Sequence, residues 1–306
     1  MMARIATVVV VILGMGLGVG FGGQPSRPAA PKPTEILQGE IVELKVSGRG
    51  LTSVEGWMGK ERIYFHPNEA GFYAALVGAD VEAKPGPAKV AVKGVTQSGA
   101  RWEIVIPLKI KAKAFKTESF SVAEEFDQLG AETLERIRRE QEQLAQIFSS
   151  SAPRRFWEGP FLTPVPRDIT SPFGYRRVIN ETPRSPHTGV DLKAASGTEV
   201  LAANHGRVVL VGDFFYSGKS LVLDHGCGLH TMYFHLSEFK ADAGMEVRRG
   251  EVVARTGMTG RVTGPHVHWG ARMNGARIDP LELVDKLGAK GETLQRAEIR
   301  IERLVK

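Results

Sequence analysis

The pattern of apolar and polar positions changes several times along the chain. An uncharged apolar run from Ile5 to Phe21 gives way to an alternation of apolar and polar residues that is clearest from Trp102 to Ile110. A period of two places one set of side chains on one face of a strand. About 80 residues of short strands separated by glycine and proline turns are typical of a β-sandwich. We therefore predict an Ig-like β-sandwich over residues 36–115.

A helical period replaces the alternation between Ala131 and Phe148, where apolar residues recur among many Glu, Arg and Gln. We predict a connecting helix there, within a helical linker over residues 116–155. The next part of the chain is rich in glycine and in short β-type runs, such as Glu199–Leu201 and His230–Phe234. These runs predict a second, antiparallel β domain over residues 156–287, so the fold class is mainly β.

The two ends of the chain carry different signals. Arg4 and the apolar run have the pattern of a secretory signal peptide over residues 1–22. The run also approaches the ~20 apolar residues that span a bilayer, so a membrane tether through residues 5–21 is the open alternative. Proline recurs in residues 23–35, which predicts an extended, semi-rigid spacer. Residues 288–306 form a charged tail with spaced apolar residues, for which we predict a helix.

The composition is that of an ordinary globular protein. Hydrophobic residues make up 42% of the chain and charged residues 24%, which excludes a disordered or fibrous protein. Cys227 is the single cysteine, so no intramolecular disulfide can form. The net charge of +6 favours an anionic partner such as a cell wall or a membrane surface, and we expect no nucleic-acid partner. With the signal at residues 1–22, we expect an exported protein of the periplasm or cell envelope.

Histidines are concentrated in the second half, where seven of the eight lie between His187 and His268. His187 and Asp191 stand four positions apart, a spacing that puts both on one face of either a helix or a strand. His266 and His268 project to one side of a strand. Such a pair is rarely core filling, because two buried imidazoles need separate hydrogen-bond partners. The pattern predicts a metal site.

His235 ends a strand-like run and would alone be more typical of a structural residue. Its significance comes from the other two clusters. The remaining histidines are expected to be structural or to line a groove; they are His66, His205, His225 and His230.

Four ordered motifs resemble those of the lysostaphin-type, or LytM-like, family of zinc peptidoglycan metalloendopeptidases. They are Ser171–Gly174, His187–Asp191, Tyr233–Ser237 and Gly264–His268. The resemblance covers residues 160–285 and implies a compact antiparallel β domain with a narrow groove. It also implies Zn²⁺ bound by three of these side chains and two catalytic histidines beside it.

By this resemblance, His187, Asp191 and His268 would bind the zinc, and His235 and His266 would be the catalytic pair. Three protein ligands leave a fourth tetrahedral position for water, as in catalytic zinc sites. Zinc can lower the pKa of such a water to about 7. Histidines can then orient or deprotonate the water and hydrogen-bond the developing oxyanion. Which of the two is the base stays open.

The leading hypothesis is a zinc-dependent endopeptidase that hydrolyses peptide cross-links of peptidoglycan, with the stem peptides as substrate. The alternative is a non-catalytic peptidoglycan-binding regulator that activates other wall hydrolases, because the family includes members that have lost metal ligands. All five positions are filled here, which argues against that alternative. The N-terminal domain and helix are expected either to dock a partner or to inhibit the enzyme by covering its groove.

Overall fold

The computed structural model describes residues 6–8, 33–68, 71–120, 129–179, 181–183, 185–287 and 296–301. Strands dominate these residues, which confirms the predicted mainly β class. The strands are β1 (Ala6–Val8), β2 (Thr34–Leu37), β3 (Ile41–Gly48), β4 (Leu51–Met58), β5 (Glu61–Ile63), β6 (His66–Pro67), β7 (Phe72–Gly78), β8 (Gly86–Thr96), β9 (Arg101–Lys111), β10 (Thr117–Phe120), β11 (Ile169–Ser171), β12 (Arg176–Ile179), β13 (Thr182–Pro183), β14 (Gly189–Lys193), β15 (Glu199–Leu201), β16 (Gly206–Phe214), β17 (Gly218–Gly226), β18 (Leu229–Phe239), β19 (Glu246–Val247), β20 (Val252–Thr256), β21 (His266–Met273), β22 (Ala276–Ile278) and β23 (Arg296–Ile301). The described helices are α1 (Ala131–Phe148) and α2 (Leu281–Leu287).

Two five-stranded sheets form the N-terminal sandwich, with strand orders β1-β23-β3-β7-β6 and β2-β9-β8-β4-β5. Their inner faces carry every second residue, as the alternation in the sequence predicts. Leu44 and Val46 of β3 and Val90 of β8 are fully buried in this core. Complete burial of one such aliphatic side chain contributes about 1.5–3 kcal/mol.

The C-terminal domain is built on a ten-stranded sheet whose main path runs β11-β14-β21-β18-β17-β16-β19. Its described pairings are antiparallel, as predicted. On β21, Val267 and Trp269 are fully buried in the core. Since successive side chains on a strand point to opposite faces, His266 and His268 lie on the other face of the sheet. Burial of Val267 and Trp269 in the core therefore determines which face of the sheet carries the two histidines.

Helix α1 begins at Ala131 and ends at Phe148, which confirms the predicted helix. Its apolar residues Leu144, Ile147 and Phe148 pack on the sheet against a small cluster. The cluster members are Leu210, Phe214, Val222 and Met232, with Phe234 beside them. Phe234 and Met232 alternate along β18 with core-facing Tyr233. The helix therefore covers the same face of the sheet that carries His268.

The two domains share an interface of hydrogen bonds and apolar contacts. Ile41, Leu76 and Val81 of the sandwich belong to the same buried cluster as the core of the C-terminal domain. Arg277 donates to Asp80, with Nη2 to Oδ1 at 2.6 Å and Nε to Oδ2 at 2.8 Å. Removal of the sandwich would therefore expose part of the C-terminal core.

The predicted helix in the tail over residues 288–306 is wrong for the part that the structure describes. Residues Arg296–Ile301 form β23, which pairs in parallel with β3 and with β1. Ile299 is fully buried between charged neighbours in the sequence, and this alternation suits a strand that lies between two others in a sheet. Residues 288–295 and 302–306 lie outside the described residues.

Two boundaries of the predicted segments also differ. Thr34 and Glu35, assigned to the proline-rich spacer, pair with β9 as part of β2. Thr117–Phe120, assigned to the helical linker, form a strand that pairs in parallel with β12. In both cases a neighbouring strand edge supplies backbone partners that a short polar segment can use.

The signal-or-anchor prediction falls almost entirely outside the described residues. Within the apolar run only Ala6–Val8 is described, as β1 beside β23. The predicted spacer is described only from Pro33. None of the helices in the described part of the chain is long and apolar enough to cross a membrane. The export signal and the tether therefore stay predictions.

Candidate metal centre

Three of the predicted residues converge on one point of the sheet. His187 lies just before β14, Asp191 lies within β14, and His268 is paired with Asp191 on β21. The His187 Nε2 atom is 3.0 Å from Asp191 Oδ1 and 3.0 Å from His268 Nδ1. His268 Nδ1 is 2.8 Å from the same Asp191 oxygen. The structure thus brings together three donor atoms that could hold one metal ion.

The orientation of His187 is fixed by the Ser171–Gly174 motif. Its Nδ1–H donates to the carbonyl oxygen of Pro172 at 2.9 Å. The backbone of His187 is held by Gly174 and Tyr175, with N to O distances of 2.8 and 2.9 Å. Because Nδ1 carries the proton, the Nε2 lone pair faces the site. Such outer hydrogen bonds set the tautomer and direction of metal-binding histidines.

The donor set fits a tetrahedral divalent ion. Metal–ligand bonds of about 2.0–2.1 Å place tetrahedral ligand atoms about 3.3 Å apart, close to the separations found here. The His187 side chain is 2% exposed and that of Asp191 13%, so the donors are largely shielded from water. Burial opposes ionisation of Asp191, yet the adjacent imidazole rings of His187 and His268 hold its pKa well below the usual range. The carboxylate is therefore charged and available as a ligand.

His235 and His266 lie beside the three donor residues. Their ring centroids are 4.9 Å apart, and that of His235 is 6.2 Å from His268. His235 Nδ1–H donates to the Thr259 carbonyl at 2.9 Å, and His266 Nδ1–H donates to the Gly264 carbonyl at 2.8 Å. With Nδ1 as the donor, the neutral form of each ring presents its Nε2 lone pair. His266 Nε2 is 3.7 Å from Asp191 Oδ1.

The environment of His235 keeps its ring neutral. Burial, followed by the charge interaction with the nearby His268, lowers the pKa of His235 to about 3. Its backbone has φ 64°, a left-handed conformation that only a few per cent of residues other than glycine adopt. The backbone N–H of His235 donates to Ser217 at 2.9 Å. The ring is thus held by tertiary contacts at a strained position, as occurs at functional sites.

Close packing fixes His268. The Phe234 ring stacks on the His268 ring at a centroid distance of 5.4 Å and an interplanar angle of 4°. On the other side, a Cβ atom at Gly189 would lie 2.6 Å from His268 Nε2 and 2.5 Å from the Trp269 carbonyl oxygen. Any larger residue than glycine at position 189 would collide with the ring and the backbone.

The other histidines lie outside this cluster. His225 is buried between the His205 carbonyl and the Thr231 hydroxyl, at 2.7 and 2.8 Å. Burial lowers the pKa of His225 to about 4, so it is a neutral core residue. His230 packs edge-on against Phe148 of α1. His66 lies at the domain interface, 6.1 Å from the Trp157 ring.

Sequence reasoning did not find several groups that shape the site. The carbonyls of Pro172 and Thr259 orient His187 and His235, but a carbonyl leaves no mark in the sequence. Phe234 is next to His235 and could have been suspected only from the strand alternation. The sequence also gives no sign of the ion pair between Arg177 and Asp191 at 3.6 Å.

Known proteins resemble this part of the chain. Residues 185–280 match the sequence model of peptidase family M23. The chain is 43% identical over 116 residues to the DD-carboxypeptidase/endopeptidase Mpg of Neisseria meningitidis serogroup B, and this alignment covers 38% of the chain and 26% of that protein. It is 36% identical over 115 residues to the peptidoglycan DD-endopeptidase ShyA of Vibrio cholerae, covering 37% of the chain and 27% of ShyA.

A solved structure extends the likeness beyond this domain. A crystal structure assigned to peptidase M23 from Pseudomonas aeruginosa is 28% identical, with a TM-score of 0.64. The superposition covers 81% of this chain and 94% of that one, so it extends well beyond residues 185–280.

The fold and the donor set together define a β-rich peptidase domain with a candidate metal centre. Residues 185–280 form a domain of peptidase family M23, which confirms the resemblance stated from the sequence motifs.

Proposed function

We propose that the protein is a zinc-dependent endopeptidase that hydrolyses peptide cross-links of bacterial peptidoglycan. The observation that carries the proposal is the convergence of three metal donors, His187, Asp191 and His268, beside two histidines with free Nε2 atoms. The names of the two relatives, a DD-carboxypeptidase/endopeptidase and a peptidoglycan DD-endopeptidase, support the substrate. Two imidazoles and one carboxylate are typical ligands of catalytic zinc.

The residues of the chain have separable tasks in this reaction. When bound, the ion supplies Lewis acidity toward the scissile carbonyl and makes a water molecule more acidic. His187, just before β14, would hold the ion together with Asp191 of β14 and His268 of β21. His235 and His266 present neutral Nε2 atoms that can accept a proton from the attacking water and return it to the leaving amine. As imidazolium, either ring can also stabilise the oxyanion.

Digestion of purified peptidoglycan tests this proposal. The zinc-loaded protein is expected to convert cross-linked into un-cross-linked stem peptides with new free amino groups, which mass spectrometry detects in the muropeptides after a muramidase has cut the glycan strands. Protein stripped with a chelator should convert none until zinc is restored. Zinc-loaded protein that binds the wall without cleaving it would contradict the proposal and favour the non-catalytic regulator.

We also propose that α1 restrains the enzyme, since it lies on the sheet face that carries the metal centre. Leu144 packs in the cluster that includes Phe234, and Phe234 stacks on His268. Two further contacts hold α1 on the sheet. The Glu140 carboxylate accepts a hydrogen bond from the Phe215 backbone N–H at 2.9 Å, and the Phe148 ring packs edge-on against His230. A long peptide approaching along this face would meet the helix.

Leu144→Glu is expected to raise hydrolysis of intact peptidoglycan several-fold, because a charge on the buried side of α1 opposes its docking while glutamate still favours a helix. The measurements are the initial rate on peptidoglycan and limited proteolysis of α1. Leu134→Glu is the matched control, since Leu134 is 53% exposed and the same change there should alter neither. Increased proteolysis of α1 in Leu144→Glu with no gain in rate would refute the restraint.

A further inference from the structure

Arg177 links the candidate metal centre to a neighbouring cavity. Its Nη2 atom is 3.6 Å from Asp191 Oδ2, while the other carboxylate oxygen, Oδ1, faces His187 and His268. The guanidinium therefore contacts the oxygen that points away from the metal donors. Within the described residues, Arg177 Nε is buried and has no hydrogen-bond partner. The side chain thus has donor capacity that its ion pair does not use.

Metal binding changes the charge balance around Arg177. In the metal-free protein the Asp191 carboxylate offsets the guanidinium. A divalent ion held by two neutral imidazoles and one carboxylate has a net charge near +1, and Arg177 adds a second positive charge beside it. The loaded site then attracts an anion, and the planar guanidinium suits a carboxylate.

A cavity of about 280 Å³ gives such a group room beside Arg177. The sandwich, the linker and the M23 domain all contribute to its walls, which include Val81, Glu82, Phe115, Thr117, Arg176 and Arg177. Glu82 pairs with Arg277 at 2.8 Å, and this arginine also pairs with Asp80, so the positive charge on the cavity wall comes from Arg176 and Arg177. The volume lies just below the roughly 300–1,000 Å³ of small-ligand pockets. It suits one side chain or chain end of a larger peptide.

The linker holds Arg177 in position. Arg177 lies on β12, opposite Glu118 of β10, and the Arg176 backbone N–H donates to the Lys116 carbonyl at 2.8 Å. The phenyl ring of Phe115 lies where a side chain at Gly174 would be, 2.2 Å from the Cβ position. The wall of the cavity is therefore built by residues on both sides of the domain boundary.

We propose that Arg177 is a specificity residue that binds a free carboxylate of the peptide substrate in this cavity. The inference rests on the proposed peptidase function and adds the chemistry of the group that the site selects. A peptide with a carboxylate near the scissile bond would be held with its carbonyl toward the metal. The same peptide with an amide in that place would lose a charge-assisted hydrogen bond.

The test compares native disaccharide-peptides from purified peptidoglycan with the same material after its carboxylates are converted to amides by carbodiimide and ammonia. Isothermal titration of monomeric fragments into the zinc-loaded protein measures binding without turnover. Hydrolysis of cross-linked dimers gives kcat and KM separately. The variants are Arg177→Gln, Arg177→Lys and, as a charge-matched control, Arg249→Gln at an exposed turn.

We expect amidation to weaken binding to the natural protein by about tenfold. Arg177→Gln should bind the native fragments as weakly as the amidated ones, with an unchanged zinc content and a raised KM. Arg177→Lys should recover part of the preference, and Arg249→Gln should keep all of it. These results support the inference even if no dimer is cleaved, in which case only the proposed peptidase function fails.

Equal binding of native and amidated fragments by the natural protein would overturn the inference. A second result would also overturn it: Arg177→Gln lowers the zinc affinity and lowers kcat equally on native and amidated substrates. Arg177 would then act only by positioning Asp191. Cleavage of the dimers in either case leaves the proposed function intact.

Discussion

His268→Ala should abolish stoichiometric zinc binding and lower cross-link hydrolysis on the order of 10³-fold or more. The His268 ring supplies one of three donor atoms that lie 2.8–3.0 Å apart. Its loss leaves the metal site with only two protein ligands. A bound metal contributes several kcal/mol of transition-state stabilisation, and each 1.36 kcal/mol is about a factor of ten in rate. Zinc content by mass spectrometry and initial rates on peptidoglycan measure the two effects.

His205→Ala is the matched control for this experiment. The side chain of His205 lies outside the donor cluster, and it is the backbone carbonyl that accepts the hydrogen bond from His225. Zinc content and activity should stay as in the natural protein, and circular dichroism should show the same fold for both variants. A His268→Ala protein that keeps one zinc per chain and its activity would remove His268 from the ligand set.

The second large effect is expected at the histidine pair. His235→Asn and His266→Asn should each lower kcat about 10²–10⁴-fold, the range for loss of general acid–base catalysis, while zinc stays bound. Asparagine suits position 235 because it adopts the left-handed conformation, here φ 64°, at low cost. The fold should therefore survive the substitution.

The double variant separates cooperation from independent action. Because the two rings are 4.9 Å apart and face the same site, the combined loss should be smaller than the product of the single losses. The measurements are kcat, KM and zinc content for the three variants. Loss of zinc from either single variant would mean that the ring is a ligand, and an unchanged kcat would mean that it is not catalytic.

The sequence predicted the parts of the fold that depend on local pattern. Alternation over Trp102–Ile110 and the runs at Glu199–Leu201 and His230–Phe234 lie within strands, and the helical period gave α1. The strand at Arg296–Ile301 was missed because it exists only by pairing with β3, more than 200 residues away. Over six residues this alternation is a weak signal, and the wider spacing of apolar residues in the charged tail had favoured a helix.

The candidate site followed from the motifs, but its surroundings did not. The ligand set His187, Asp191 and His268 was implied by the family resemblance, and the pairing of β14 with β21 places Asp191 and His268 on one face. The parallel pairing of β10 with β12 was hidden, since the linker had been expected to be helical. The position of Arg177 beside Asp191 depends on that pairing, and long-range sheet contacts are the least accessible to local reasoning.

X-ray absorption at the zinc edge of the loaded protein tests the central claim most directly. We predict one zinc per chain with a shell of nitrogen and oxygen atoms at about 2.0–2.1 Å, containing two imidazoles, a carboxylate and one oxygen that exchanges with solvent. A sulfur shell at about 2.3 Å, a fourth protein ligand in place of solvent, or no zinc retained at this site would contradict it.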